Sequence, residues 1–302
     1  MSRRADAQPA PAGWTATSLG RRSALARAGL IAAGALVIAV VLAFLLLPII
    51  ALLTYQPLSE LLDGLNAQVT LDAIVVSLKT NAIAFGITVL FGTPFAYILA
   101  RHRFPGRSVV ITLVELPLVL PPAVAGLGLL AAFGRLGLLG SELRVLGIDL
   151  AFTQAAVVLA IMFVAGPFYL RGAIAAFEAL DADVLDVAGT LGAGPLRRML
   201  RVGVPLASGG LGAAAGASFA RGMGEFGATI LFAGSFQGVT QTLPLAVYDL
   251  FDANLDQAVA IGVLLLFVSA AILLASKLIL RSWNTWTSTS PSRGARSISA
   301  PS

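Results

Sequence analysis

Two charged residues, Arg221 and Glu225, lie four positions apart in a segment that is otherwise apolar. On a helix this spacing puts both side chains on one face, where they can form an ion pair. Charges inside long apolar segments are costly and usually face a helix-bundle interior or a water-filled cavity. Two interpretations stay open: the pair fixes helix packing, or it lines a path for an anion. Because Glu225 repels an anion that Arg221 attracts, a conduit fits this pair better than a tight anion site does.

A second group of charged residues lies in a connecting stretch, DVAGTLGAGPLRRMLRVGVPL, at positions 186–206. Asp181 can cap a helix just before it, and Asp183 and Asp186 add negative charge to the first turns, where the helix dipole favours it. Gly192 suits the C-terminal cap, and Pro195 suits the start of a second short helix. The spacing predicts one apolar face made of Val184, Leu185, Ala188 and Leu191.

The product is an amphipathic hairpin of two short helices, and the second helix carries Arg197, Arg198 and Arg201. The residues alone leave two alternatives for what contacts the hairpin. Anionic lipid headgroups would bind the arginines, or a soluble partner protein would cover the apolar side chains.

The elements that position these residues follow from the composition. The chain has 302 residues, of which 58% are hydrophobic and only 12% are charged. A soluble domain has about a quarter of its residues charged, so this is an integral membrane protein. It has no cysteine and one histidine, His102. Disulfides, thiolate metal sites and histidine-rich metal sites are therefore excluded.

Six segments are long and apolar enough to cross a bilayer, which needs about 20 residues each. No segment alternates with period two, so the sequence predicts an all-α fold with six transmembrane helices. Pro117, Pro121 and Pro122 are expected to kink or break the third of these. The six predicted spans are approximately 28–53, 74–100, 108–133, 150–170, 202–232 and 257–280.

The distribution of basic residues predicts the orientation. Most of the 20 Lys and Arg residues fall on the side of both termini, which the positive-inside rule assigns to the cytoplasm. The stretch at 186–206 is on that side too. The sequence predicts a multi-pass domain over 28–281 in the cytoplasmic membrane, with disordered tails at 1–27 and 282–302.

The stretch at 186–206 resembles the EAA loop of ABC-importer permeases. That pattern is Glu-Ala-Ala, three residues, Gly, nine residues, and Ile-x-Leu-Pro. Here Asp186 to Ala188, Gly192, and Val202 to Pro205 occupy these positions, with conservative departures at Asp186, Val187, Val202 and Val204. The resemblance implies a type I importer fold whose coupling helix docks on an ATP-binding subunit.

Four further motifs resemble the molybdate ABC-transporter permeases: PLVLPP at 117–122, FGRLG at 133–137, GEFGAT at 224–229 and TQTLP at 240–244. This resemblance implies a homodimer with two ATP-binding subunits and an extracytoplasmic molybdate-binding protein. Tungstate and sulfate permeases are the alternatives. Residues expected at the translocation path or gate are Pro121, Pro122, Arg221, Glu225, Gly227 and Thr229.

The chain contains no phosphate-binding G-x-x-x-x-G-K-[ST] motif and no recognisable Ser–His or paired-carboxylate arrangement. We therefore expect a non-catalytic subunit without a cofactor or metal of its own, with ATP and Mg²⁺ bound by the partner. The expected partners are proteins and membrane lipid, and nucleic acid is not expected to be one. A stand-alone secondary carrier is the remaining alternative, but it would leave the EAA-like loop without a role.

Overall fold

In a computed structural model, the described part of the chain is residues 16–288, with side chains described for 29–276 and for Leu278. This part forms thirteen α-helices and one π-helical turn, and it contains no strand, so the all-α prediction is confirmed. The helices are α1 (Ala16–Thr54), α2 (Leu58–Asn66), α3 (Gln68–Arg101), α4 (Arg107–Val119), α5 (Pro122–Phe133), α6 (Gly140–Val145), α7 (Gln154–Glu178), α8 (Ala182–Thr190), α9 (Pro195–Arg198), α10 (Val204–Met223), α11 (Gly227–Ala233), α12 (Leu243–Leu250) and α13 (Leu255–Ser288).

Five helical segments among the described residues are long and apolar enough to cross a bilayer. They are α1, α3, α7, the segment from α9 through α10, and α13. The pair α4 and α5 supplies a sixth if it counts as one span, although its two halves are bent by 114°. Helix α1 and Tyr55 belong to one compact unit, and residues from Gln56 onward form the other.

The α4–α5 break lies at Leu120 and Pro121. Both residues precede a proline, which disfavours helical backbone at the position before it. Both have the extended ψ value of 132°. The predicted break in the third span is therefore confirmed, and Pro121 and Pro122 produce it, whereas Pro117 lies inside α4.

The predicted fifth span, 202–232, is not one helix. Helix α10 ends at Met223, and a second break over Gly224–Phe226 separates it from α11. Gly224 has low helix propensity, and the Glu225 carboxylate accepts a hydrogen bond from the backbone N–H of Ala228 at 2.8 Å, which starts a new helix instead of continuing the old one. The expectation that Arg221 and Glu225 share one helical turn is corrected accordingly.

A π-helical turn over Met199–Gly203 precedes α10, and in it the Val204 N–H donates to the carbonyl of Met199. Pro205 explains this geometry. Proline has no N–H for the carbonyl four residues back, and its ring crowds that carbonyl. A π turn accommodates both effects locally.

The predicted tails differ from the structure where the structure describes them. Residues 16–27 belong to α1 and residues 282–288 belong to α13, because extending an existing helix adds one hydrogen bond per residue at little cost. The other predicted tail residues, 1–15 and 289–302, lie outside the described part of the chain.

The core of the second unit lies between α3, α7 and α10. At one end of these helices, buried aromatic and aliphatic side chains join α3 and α7 to the α8–α9 hairpin; they include Tyr97, Phe177, Leu185 and Met199. The Tyr97 and Phe177 rings pack edge to face with centroids 5.2 Å apart. We call this the hairpin end of the bundle. The connections 134–153 and 234–254 lie at the opposite end.

Candidate functional site

The α8–α9 hairpin (181–204) has well-formed helix caps. The Asp181 carboxylate accepts a hydrogen bond from the Asp183 N–H at 3.0 Å, which caps α8 at its N-terminus. At the C-terminus, Gly192 has φ +83°. The N–H groups of Gly192 and Ala193 donate to the carbonyls of Gly189 and Ala188 at 3.0 and 3.1 Å. This is a Schellman motif, so the predicted C-cap role of Gly192 is confirmed.

The predicted single apolar face of α8 is wrong in part, because the structure divides it between two environments. Leu185 is 3% exposed and packs in the core with Phe177 and Met199. Leu191 is 82% exposed, and Val184 is exposed as well. Leu185 thus anchors the hairpin to the bundle, while other apolar side chains remain available for contact with a partner.

An open groove of about 510 Å³ lies on the exposed side of the hairpin. Its lining combines apolar and basic side chains: Gly192, Gly194, Pro195, Leu196, Arg197, Leu200 and Arg201. Of the remaining residues predicted for this loop, Asp186 and Pro205 are exposed, and Ala188 and Val202 are half-buried. The groove therefore combines apolar and arginine side chains, a composition typical of protein-docking surfaces.

Arginines of the connection 101–107 hold the hairpin in place. The Arg101 guanidinium donates to the carbonyl of Leu180 at 3.2 Å, and it also reaches the carbonyl of Asp181 at 3.4 Å. Arg107 donates to the Leu99 carbonyl at 2.7 Å and forms an ion pair with Glu178. The contacts of Arg101 with Leu180 and of Arg107 with Glu178 could not be predicted from the sequence, because these partners lie more than 70 residues apart.

Arg221 and Glu225 form the predicted ion pair, with Nη2 and Oε2 2.7 Å apart. The Glu225 side chain is 1% exposed, and that of Arg221 is 28% exposed. Glu225 uses its other oxygen, Oε1, to accept the Ala228 N–H. Oε2 has a close ion contact but no well-directed hydrogen bond among the described residues. The carboxylate thus joins the end of α10 to the start of α11.

The two breaks in the bundle lie against each other. A Cβ atom added to Gly227 would be 2.8 Å from Cβ of Pro122, so α11 and α5 touch at this point. A Cβ added to Gly126 would meet the Ala228 carbonyl oxygen at 2.8 Å. Close helix approach in membranes depends on small residues of this kind.

Three of the residues predicted for the path, Pro122, Glu225 and Gly227, are therefore brought together at the α5–α11 contact. Thr229 is fully buried in α11, and its hydroxyl has no hydrogen-bond partner in the described part of the chain. Pro121 is exposed at the start of α5.

Asn81 is a buried polar residue that the sequence analysis missed. It lies in α3 and is 1% exposed, and its amide donates to the Phe219 carbonyl at 3.1 Å. Its Oδ1 lies so near Gly222 that a Cβ at this glycine would approach it to 2.2 Å. An amide within an apolar span is the signal in the sequence that indicates it.

At the opposite end of the bundle, polar side chains hold the connection 234–254 in place. Gln237 donates to Asp72 at 2.9 Å, and Gln241 donates to Asp249 at 2.7 Å. Among the described residues, no group of three or more His, Asp or Glu side chains could hold a metal ion. Arg221 and Glu225 place their charges at the break between α10 and α11.

These features define a class: a multi-pass helical membrane protein with two broken spans and a capped hairpin at one end. The profile of the family described as "Binding-protein-dependent transport system inner membrane component" matches residues 92–284. The chain belongs to this family, whose members include permease subunits of ABC transporters.

Two relatives and one solved structure illustrate the similarity. A molybdenum transport system permease protein of Mycobacterium tuberculosis is 48% identical over 204 residues, which are 67% of this chain and 76% of the relative. A probable sulfate transport system permease protein of Nephroselmis olivacea is 32% identical over 247 residues, which are 80% of this chain and 87% of the relative.

The solved structure is a bacterial alginate ABC transporter in complex with its alginate-bound periplasmic protein. One of its chains matches with a TM-score of 0.69 at 17% identity, covering 86% of this chain and 96% of that one. At this identity the match establishes the fold alone, and the predicted importer-permease fold is confirmed.

Proposed function

We propose that this chain is the transmembrane permease subunit of an ATP-driven importer that carries molybdate inward across the cytoplasmic membrane. The observation that carries the proposal is the 48% identity to a relative named as a molybdenum permease, extended over 204 residues. The family membership and the importer fold are consistent with it. The permease itself is non-catalytic, and ATP and Mg²⁺ bind to a partner subunit.

The α8–α9 hairpin is the proposed contact with the ATP-binding subunit. It is supported by the exposed apolar groove, by Leu191 at 82% exposure and by the rigid cap at Gly192. The spacing of Asp186, Ala188 and Gly192 to Val202 and Pro205 matches the family's coupling loop. In this arrangement Leu185 and the arginines of 101–107 transmit force from the docked hairpin to α3 and α7.

One face of α10 supports the homodimer and the translocation path. Leu206, Gly210, Ala213, Ala217 and Arg221 recur every three or four residues, and none of them is buried. The alanine and glycine positions border an open groove of about 610 Å³ between α4, α7 and α10. Gly210 packs closely against Ala176 of α7, whereas Ala213 and Ala217 leave room for close approach of a second copy. Arg221 at the end of the row offers an oxyanion a positive charge.

The Arg221–Glu225 pair suits the passage of an anion better than tight binding of one. Arg221 is partly exposed and attracts an anion, while the buried Glu225 limits how tightly the anion is held. Weak binding along the path leaves selection to an extracytoplasmic binding protein. We place that protein at the end of the bundle opposite the hairpin, and we place both termini in the cytoplasm on the basis of the positive-inside rule.

A sulfate permease is the second candidate, because the sulfate relative is 32% identical over a longer stretch of this chain. Both substrates are tetrahedral dianions, so the same path residues would serve either. The test is to reconstitute the permease with its ATPase and binding protein, and to load the latter with molybdate, tungstate or sulfate in turn. We expect molybdate to give the largest stimulation of ATP hydrolysis. Stimulation of ATP hydrolysis by sulfate alone would overturn the molybdate assignment. Transport by the permease without the ATPase would overturn the importer assignment.

A further inference from the structure

A second cavity at the hairpin end is separate from the docking groove, although Pro195 borders both of them and Asp186 belongs to the proposed docking loop. It is a cleft of about 570 Å³ enclosed by the end of α3, the connection 101–107, the end of α7 and the hairpin. We call it the basic cleft. Its charged and titratable lining consists of Arg101, His102, Arg103, Arg107, Arg198, Glu178 and Asp186, with Tyr97 at its base.

The charges of the basic cleft favour an anion. Four arginines face two carboxylates, and one of these carboxylates, Glu178, is already paired with Arg107. Arg103 is exposed and makes no hydrogen bond or ion pair with any described residue. Arg103 and the uncapped start of α4 therefore remain for a ligand.

Two helices begin at the cleft wall. Arg107 is the first residue of α4 and Ala182 is the first residue of α8, and both line the cavity. The N-cap of α4 is Gly106, which has no side chain to accept the first N–H groups. The N-terminal ends of helices carry partial positive charge and bind phosphate and related anions. The start of α4 thus adds to the field of the arginines, whereas the start of α8 is already capped by the Asp181 carboxylate.

Arg198 gives an independent sign of a missing partner. Its guanidinium lies over Gly189, where an added Cβ would be 3.1 Å from Nη1. Its Nε is buried and has no hydrogen-bond acceptor among the described residues. A buried donor without an acceptor is costly, so the Arg198 guanidinium gains hydrogen bonds when it shifts toward an oxyanion in the cleft.

We propose that the basic cleft binds a tetrahedral oxyanion of the phosphate type, held by Arg103 and Arg198 in the cavity where α4 begins. The bound anion joins the connection 101–107 to the hairpin and stabilises the hairpin by mass action. Two sources share this chemistry: the phosphodiester headgroup of an anionic lipid, and a free oxyanion in solution. This site does not depend on which anion the chain transports.

The test uses the full-length permease, delipidated in neutral detergent, and measures binding of radiolabelled inorganic phosphate by equilibrium dialysis at constant ionic strength. The double variant Arg103→Gln, Arg198→Gln should bind about tenfold more weakly, equivalent to about 1.4 kcal/mol. The matched control is Arg197→Gln, one residue away on the groove side of the hairpin. Its affinity for phosphate should equal that of the wild type.

Two further arms complete the test. In nanodiscs, phosphatidylglycerol that displaces phosphate from the wild type identifies the headgroup as the ligand, and unchanged binding identifies the free oxyanion. Equal binding by wild type, double variant and control overturns the proposal, as does loss of phosphate when the ATPase subunit is added. Should the double variant fail to fold, the single Arg103→Gln variant, which removes no contact seen in the structure, replaces it.

Discussion

Replacing Gly192 tests the role of the hairpin with little side-chain interference. This residue has φ +83°, and a Cβ built on it would meet nothing within 4 Å. Gly192→Ala therefore introduces backbone strain without a clash. Left-handed backbone costs an ordinary residue about 1–2 kcal/mol, which changes a conformational equilibrium by a factor of roughly 5–30.

The expected effect on docking follows from this strain. If the ATPase subunit binds only the capped hairpin, its apparent affinity for the permease falls in proportion to the fraction of permease molecules whose hairpin is capped. Gly192→Ala should then weaken ATPase binding by up to roughly 30-fold. Gly192→Asn should fall between Ala and wild type, because Asn tolerates left-handed backbone better than other residues. Binding of the purified ATPase to the permease in nanodiscs, measured by surface plasmon resonance, would show this order.

Gly194 is the matched control for this experiment. It lies two residues away on the same hairpin, also with nothing within 4 Å of an added Cβ, but its φ is −63°. Gly194 lines the same groove, so Gly194→Ala adds the same methyl group there without the backbone strain, and it should weaken ATPase binding much less than Gly192→Ala does. Equal losses at the two glycines, or an Asn variant weaker than the Ala variant, would refute the reasoning from backbone conformation.

Three more predictions concern the path, the helix breaks and the hairpin anchor. Arg221→Ala should lower transport in proteoliposomes while the dimer persists in size-exclusion chromatography; loss of the dimer would favour a packing role. Gly227→Ala should lower the melting temperature, because overpacking against α5 costs about 1–3 kcal/mol. Gly128→Ala, where a Cβ meets nothing within 4 Å, should leave the melting temperature unchanged, and equal shifts in the two variants would contradict the contact with α5. Leu185→Ala should lower the free energy of unfolding by about 2–5 kcal/mol in denaturant unfolding, whereas Leu191→Ala should change only ATPase binding. A larger loss of stability in Leu191→Ala than in Leu185→Ala would disprove the division of the apolar face.

The sequence predicted those features of the fold that depend on local backbone chemistry. Gly192 was expected at a helix C-cap because its neighbours set the helix end, and the Schellman bonds confirm it. The consecutive prolines at 121 and 122 were expected to break a span, and they bend it by 114°. Both predictions require only the residue and its immediate neighbours.

The features that escaped prediction depend on distant partners or on competing local effects. From the sequence, the arginines of 101–107 indicate only the orientation of the chain in the membrane, because nothing local shows that Arg101 reaches the carbonyl of Leu180. The α10–α11 break was missed because an i, i+4 ion pair and a run of apolar residues both favour a continuous helix. Whether Glu225 extends that helix or caps the next one depends on how α11 packs against α5.

The position of α10 connects the hairpin to the helix breaks. The helix begins directly after the π turn of the hairpin and ends two residues after Arg221. Its 20 residues span about 30 Å at 1.5 Å per residue. A displacement of the docked hairpin along α10 would therefore reach the Arg221–Glu225 pair through one continuous element. Because Gly227 and Pro122 are in contact, the α10–α11 break cannot shift without moving the α4–α5 break. In the proposed importer, this arrangement makes the two broken spans respond together to the state of the ATPase.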